Sequence, residues 1–178
     1  GIQSLRRKGY DSAISAFQKA AATDSDWAEP QAQLGHAYYY RAFSQGLPDR
    51  KGLENAGQAI EAYETAIAMD PRLSTVKDPY LVRHGLAMCY EALGRRSQAL
   101  SELKKAAAAS PGNPMPGLYA ARLRYWMGDL PRSAENLHLS IRRARKARAY
   151  PALARLVRNG SEFTPILDSP TNRVLLET

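Results

Sequence analysis

At 178 residues, 44% of them hydrophobic and 24% charged, the chain has room for one domain with a buried core. No run of about 18 apolar residues occurs, which excludes a helix crossing a membrane. The single cysteine, Cys89, excludes an internal disulfide, and a formal charge of +8 leaves acidic partners, nucleic acid and anionic lipid to be weighed.

Taken in order, residues 1–8 read as the tail of a helix with Ile2 and Leu5 as its apolar points. A chain that starts at Gly1, inside such a helix, reads as a piece of a longer protein, so its compartment stays open, with the cytoplasm slightly favoured. Asp11 is expected to cap the next helix, which runs to about Ala22, and Thr23-Asp24-Ser25-Asp26 is a polar turn. A helix over 28–43 carries Leu34, Gly35 and Tyr38. Gly46, Pro48 and Gly52 then break the pattern, while Leu53, Ala56 and Ile60 already continue the stripe of the following helix, which closes at Asp70-Pro71. After a loop at Arg72–Asp78, Leu86, Cys89, Tyr90 and Leu93 recur at the spacing of a helix with one buried face. Gly94 breaks that run, Ala99, Leu103 and Ala106 form the next stripe, and Pro111 stops it. A short helix at Tyr150–Asn159 ends at Gly160, and Phe163, Ile166, Leu167, Val174 and Leu175 follow in the tail.

Small residues at Ala13, Ala59, Ala99 and Ser133 are each followed four positions later by a large apolar one: Phe17, Tyr63, Leu103 and Leu137. With Leu34-Gly35…Tyr38 and Leu86-Ala87…Tyr90 ahead of two of them, the pattern resembles the tetratricopeptide repeat, a helix–turn–helix unit of about 34 residues. The fourth unit is degenerate, with Ala120, Ala121 and Arg124 in place of Leu, Gly and Tyr. The resemblance implies an all-α, right-handed superhelical solenoid of antiparallel helix pairs over 1–147. Its units fall at about 1–25, 28–71, 79–111 and 114–147, and a C-terminal cap and tail span 148–178. Ala13 to Ala59 is 46 residues, Ala59 to Ala99 is 40 and Ala99 to Ser133 is 34. The second unit therefore carries an insertion around 43–57, and a smaller one lies at 72–78. Such additions map to loops, often near a binding face, or else are drift tolerated at low entropic cost.

In this family the first helices line a concave groove that holds peptides or helices. The matching positions are Ala32, His36, Tyr39 and Tyr40, then Leu81, His84, Met88 and Glu91, then Leu118, Arg122, Tyr125 and Trp126. Tyrosine, tryptophan and arginine dominate binding hot spots, whereas Tyr38 and Tyr90 match the family's buried tyrosine. The carboxylate clamp of some relatives is absent: Ile2, Gln33 or His36, and Leu81 or Gly85 stand where Asn, Lys and Arg are needed. The run RRARKAR places Arg142, Arg143, Arg145, Lys146 and Arg148 together, with Arg155 and Arg158 beyond. This is a basic patch for an acidic partner, with nucleic acid disfavoured for want of a reader motif, or else a solvated helix end.

Nothing points to catalysis or a cofactor. His36, His84 and His138 lack metal-ligand spacing, no phosphate-binding G-x-x-x-x-G-K-[ST] occurs, and Cys89 reads as a small buried hydrophobe. The expectation is a non-enzymatic scaffold binding a protein or peptide partner in its groove. The alternatives are the basic face as binding site, or an assembly segment that self-associates or packs on another domain.

Overall fold

The structure, a computed structural model, describes residues 2–23 and 26–148. They form seven helices: α1 (Ile2–Thr23), α2 (Ala28–Ala42), α3 (Arg50–Met69), α4 (Pro79–Ala92), α5 (Arg96–Ala109), α6 (Met115–Trp126) and α7 (Leu130–Lys146). No strand occurs among the described residues. Two compact units divide the chain, residues 1–102 and 103–178. The expected cap at 148–178, with Arg155 and Arg158, lies outside the described residues except for Arg148.

In the first unit, α1 is one continuous helix, not a tail and a capped successor. Asp11 sits mid-helix, and its carboxylate accepts a hydrogen bond from Arg41 of α2 at 2.5 Å. Gly9 does not break the helix, because a helical glycine costs only about 1 kcal/mol and the helix gains by packing on α2, where Gln18 donates to the Tyr38 hydroxyl. The core of this unit is a wedge. Tyr63 of α3 is fully buried, with its ring against Gly35 of α2 and its hydroxyl against Gly85 of α4. A side chain at either glycine would overlap that ring, so both positions need a bare backbone.

The two insertions are built differently. The first gives a loop at 43–49, where Gly46 takes a positive φ of 98°, and it also lengthens α3. Asp49 caps α3 by accepting from the Gly52 amide at 2.8 Å, and Ala56 and Ile60 are buried along its added turns. The second is a packed loop around Asp70, whose carboxylate accepts from the Arg72 and Thr75 amides and from the Ser74 and Thr75 hydroxyls. Leu73 and Val76 are buried beneath it, and the Lys77 amide donates to Glu29 of α2. Leu73 has a φ of 52°. That conformation costs about 1–2 kcal/mol. Burying a leucine side chain contributes about 1.5–3 kcal/mol, enough to hold it. Asp78 then caps α4 through the Leu81 amide at 3.0 Å.

In the second unit, α6 and α7 pair through Leu118, Ala121, Leu137, Ile141 and Ala144. Gly117 lies against the Ser140 hydroxyl, and the Ser133 hydroxyl donates to the Ala121 carbonyl at 2.8 Å. The degenerate fourth unit therefore still forms a helix pair. Its serine at the small-residue position keeps the close approach and satisfies its own hydroxyl. Gly94 and Gly128, one repeat apart, end α4 and α6 at φ of 74° and 79°.

Candidate functional site

The repeat register sorts the expected binding residues by exposure. Aligning Tyr38, Tyr90 and Arg124 places His36, Met88 and Arg122 at one equivalent position, and all three are buried. Tyr39, Glu91 and Tyr125 share the next outward position and are half-buried. Tyr40, Ala92 and Trp126 share the one beyond it, where both aromatics are 46% exposed. Ala32, His84 and Leu118 form a fourth set, of which Ala32 and Leu118 have no exposed surface and His84 is half-buried. Leu81 is half-buried too.

On α2, the Tyr39 ring stands edge-on to Tyr40 at 5.1 Å and tilts onto Phe43 at 5.0 Å, a cluster that carries Tyr40 into solvent. His36 turns inward: Nδ1 and the Tyr63 hydroxyl share a hydrogen bond of 2.7 Å. Burial pushes the His36 imidazole below its ordinary 6.5, with Glu29 and Asp78 pulling partly back, and burial raises the Tyr63 phenol well above its usual value. On α4, His84 stacks on Tyr80 at 5.5 Å. Met88 packs inside, where a flexible side chain fills the core instead of meeting a partner. Tyr90 is buried as its family position implies, and its hydroxyl donates to Glu64. Cys89 is buried as well, with its thiol pushed up to about 12 by desolvation, so almost no thiolate forms near neutrality.

On α6, Leu118 is corrected from groove to core: it sits in the apolar cluster with Leu137 and Ile141. Arg122 is also buried, with its guanidinium between the rings of Tyr119 at 5.1 Å and Trp126 at 5.0 Å. It acts as the filling of a stack that fixes Trp126, since a cation over two ring faces is held by both quadrupoles. Tyr125 packs partly on the core cluster. Sequence reasoning missed Tyr119 and Phe43. Tyr119 lies three from Arg122 and Phe43 four from Tyr39, and that spacing is the available signal, because such residues are neighbours along a helix.

Each unit carries one further feature. Beneath the 43–49 loop is a cleft of about 160 Å³ lined by Asp11, Arg41, Asp49, Lys51 and Asn55, with Leu47 at its rim 95% exposed. Arg41 is its hub, bonding Asp11, Asn55 at 2.6 Å and the Tyr38 ring face. In the second unit, Arg142, Arg145, Lys146 and Arg148 are exposed on and just past the end of α7, and Arg143 is half-buried. His138 is exposed. No group of three or more His, Cys, Asp or Glu that could hold a metal occurs among the described residues.

Helix pairs closed by left-handed glycines, with small residues at the crossings, define a fold built from helical repeats. The fold is that of the tetratricopeptide repeat, and residues 82–113 match the family model described as tetratricopeptide repeat. Solved structures agree. MamA is similar with a TM-score of 0.68 at 16% identity, over 98% of this chain and 86% of that one. TTC0263, a thermophilic tetratricopeptide-repeat protein of Thermus thermophilus, has a TM-score of 0.61 at 20% identity, over 84% and 73%. PilW, described as a widely conserved type IV pilus biogenesis factor, has 0.54 at 21%, over 93% and 77%. A search of curated proteins gives no match. The fold class is thus all-α, of the tetratricopeptide-repeat type, and no described helix is long and apolar enough to cross a membrane.

Proposed function

We propose that this chain is a non-catalytic binding module that holds a partner segment against the first helices of its repeats. One observation carries the reading: the exposed aromatics Tyr40 and Trp126 occupy the same repeat position, each packed against a side chain of its own helix, Tyr39 edge-on and Arg122 over the ring. An aromatic held in one rotamer loses little entropy on binding and buries a large area, which is how hot spots form. The bland explanation, core packing, applies to His36, Met88, Arg122 and Leu118 but not to a ring left 46% open.

The test is a paired capture from the source organism's lysate. One bait is the wild-type chain and the other carries Tyr40→Ala with Trp126→Ala. Both positions are exposed, so the variant is expected to keep its helical signal and melting temperature. A partner held by the wild type should bind the variant more weakly by about 1–3 kcal/mol per ring. Equal recovery on both baits would remove these helices as the binding surface. Arg122 is unsuited to this test, because removing it collapses the stack it fills.

A further inference from the structure

The whole formal charge of this protein sits on one stretch. Residues 1–102 hold twelve Lys or Arg and twelve Asp or Glu, and residues 149–178 hold three of each. Residues 103–148 hold ten and two, a net +8. The two acids barely offset it: Asp129 is taken by Arg124 at 3.0 Å and Arg132 at 3.2 Å, which leaves Glu135. Arg142, Arg143, Lys146 and Arg148 pair with no carboxylate among the described residues.

Apart from Arg148, which lies just past its end, these cations stand on a fixed helix. Leu137, Ile141 and Ala144 bury one side of α7 against α6, and Ser133 is bonded to the Ala121 carbonyl, so the basic side is held outward. Arg142 and Lys146 are four apart and Arg142 and Arg145 three apart on α7, spacings at which like charges face and repel each other. The helix dipole favours cations in the last turn, but its effect fades within that turn and Arg142 lies at its edge. A cluster that repels itself gains from any occupant that brings anions.

We propose that this face of α7 docks an acidic protein segment. A membrane would need the apolar side of α7, which is already spent on α6. Single-stranded nucleic acid is held by aromatic stacking between cations, and α7 carries no Phe, Tyr or Trp. Arg142 to Lys146 spans about 6 Å of helix, just over one turn, matching carboxylates spaced three or four apart on one acidic helix. Leu139, 40% exposed one turn earlier, adds an apolar contact. This surface is separate from the α6 ring stack, so the two readings fail independently.

The experiment titrates the full chain with a labelled oligoglutamate peptide, a single-stranded oligonucleotide of equal charge, and phosphatidylserine vesicles, at low and near-physiological salt. The expected result is peptide binding that falls with salt and is roughly tenfold weaker in R142E/K146E, whose two lost pairs and two new repulsions act at exposed sites. Tyr40→Ala with Trp126→Ala should bind the peptide like the wild type, and circular dichroism should show R142E/K146E folded. Equal peptide binding by wild type and R142E/K146E would overturn the proposal. Tighter retention of the oligonucleotide or the vesicles than of the peptide at the same salt would overturn it too, assigning the face to that polyanion.

Discussion

Replacing Gly35 with alanine should destabilise the protein although alanine is the better helix former. A Cβ at Gly35 would sit 2.5, 2.6 and 2.9 Å from three ring carbons of Tyr63, where carbon contacts prefer about 3.5–4.0 Å. The ring must therefore give by about 1 Å, and it has nowhere to go. Tyr63 is fully buried, Gly85 closes the far side, and the hydroxyl is held by His36 at 2.7 Å. Overpacking costs about 1–3 kcal/mol, the upper end applying to a ring with no room to move, and the helix propensity of alanine returns up to about 1 kcal/mol, leaving a net loss of about 2 kcal/mol. Gly57→Ala on α3 is the matched control, since a Cβ there meets nothing within 4 Å. It should gain about 0.5–1 kcal/mol, so the two variants move in opposite directions. Urea titrations read both, with equal m-values confirming that compactness is unchanged. A Gly35→Ala protein as stable as the wild type would show that Tyr63 is not a wedge.

Three further outcomes are expected. Because burial depresses the His36 imidazole below 6.5, the unfolded chain takes up the proton first as pH falls. Stability is then full above 6.5 and declines below it toward the depressed value; comparing urea midpoints at about pH 7.5 and about pH 5.5 should show a smaller loss in His36→Asn than in wild type, and equal losses would contradict this. Leu118→Ala should cost about 2–5 kcal/mol, seen as lost amide-exchange protection in α6 and α7, whereas unchanged protection would return Leu118 to the surface. Asp70→Ala should speed exchange of the Thr75 amide, which its carboxylate accepts at 2.7 Å; that hydrogen bond holds the Asp70 carboxyl below 3.8, so the order is present above that pH and lost as pH falls through the lowered value. Exchange at Thr75 that is unaltered by the substitution would mean that the loop is held by Leu73 and Val76 alone.

The period of the fold is written where sterics are local. Gly94, Pro111 and the Leu86-to-Leu93 stripe need no distant partner to act, and they mark their elements correctly. Asp11 failed because an aspartate can cap a helix or pair with a cation, and the choice rests on Arg41, thirty residues away. Leu73 and Val76 fall within the expected loop at Arg72–Asp78, and spacing alone cannot say that a turn around Asp70 folds them inward. Among candidate site residues, carrying positions over from the family mixed buried side chains with open ones. A core-facing stripe is wider than 100°, so it claims residues flanking the small-residue seam, and Met88, Arg122 and Leu118 fall within it.

Both insertions read better as architecture than as drift. A slack loop adds little closure entropy and would leave its apolar residues in water. Here the first places Ala56 and Asn55 in the interior and gives Arg41 a partner on α3, while the second buries two side chains and ties itself to α2. Surface already committed to such packing is unavailable to a partner. By the same reasoning, what packing does not use is informative: Tyr40 and Trp126 remain open at one repeat position while the position four residues before each is buried. A repeat that shifts its side chains from core to solvent within about one turn, in units with different sequences, holds that boundary through its backbone geometry. The identity of the outermost residue is then free to be set by what it must bind, and in both of these units it is aromatic.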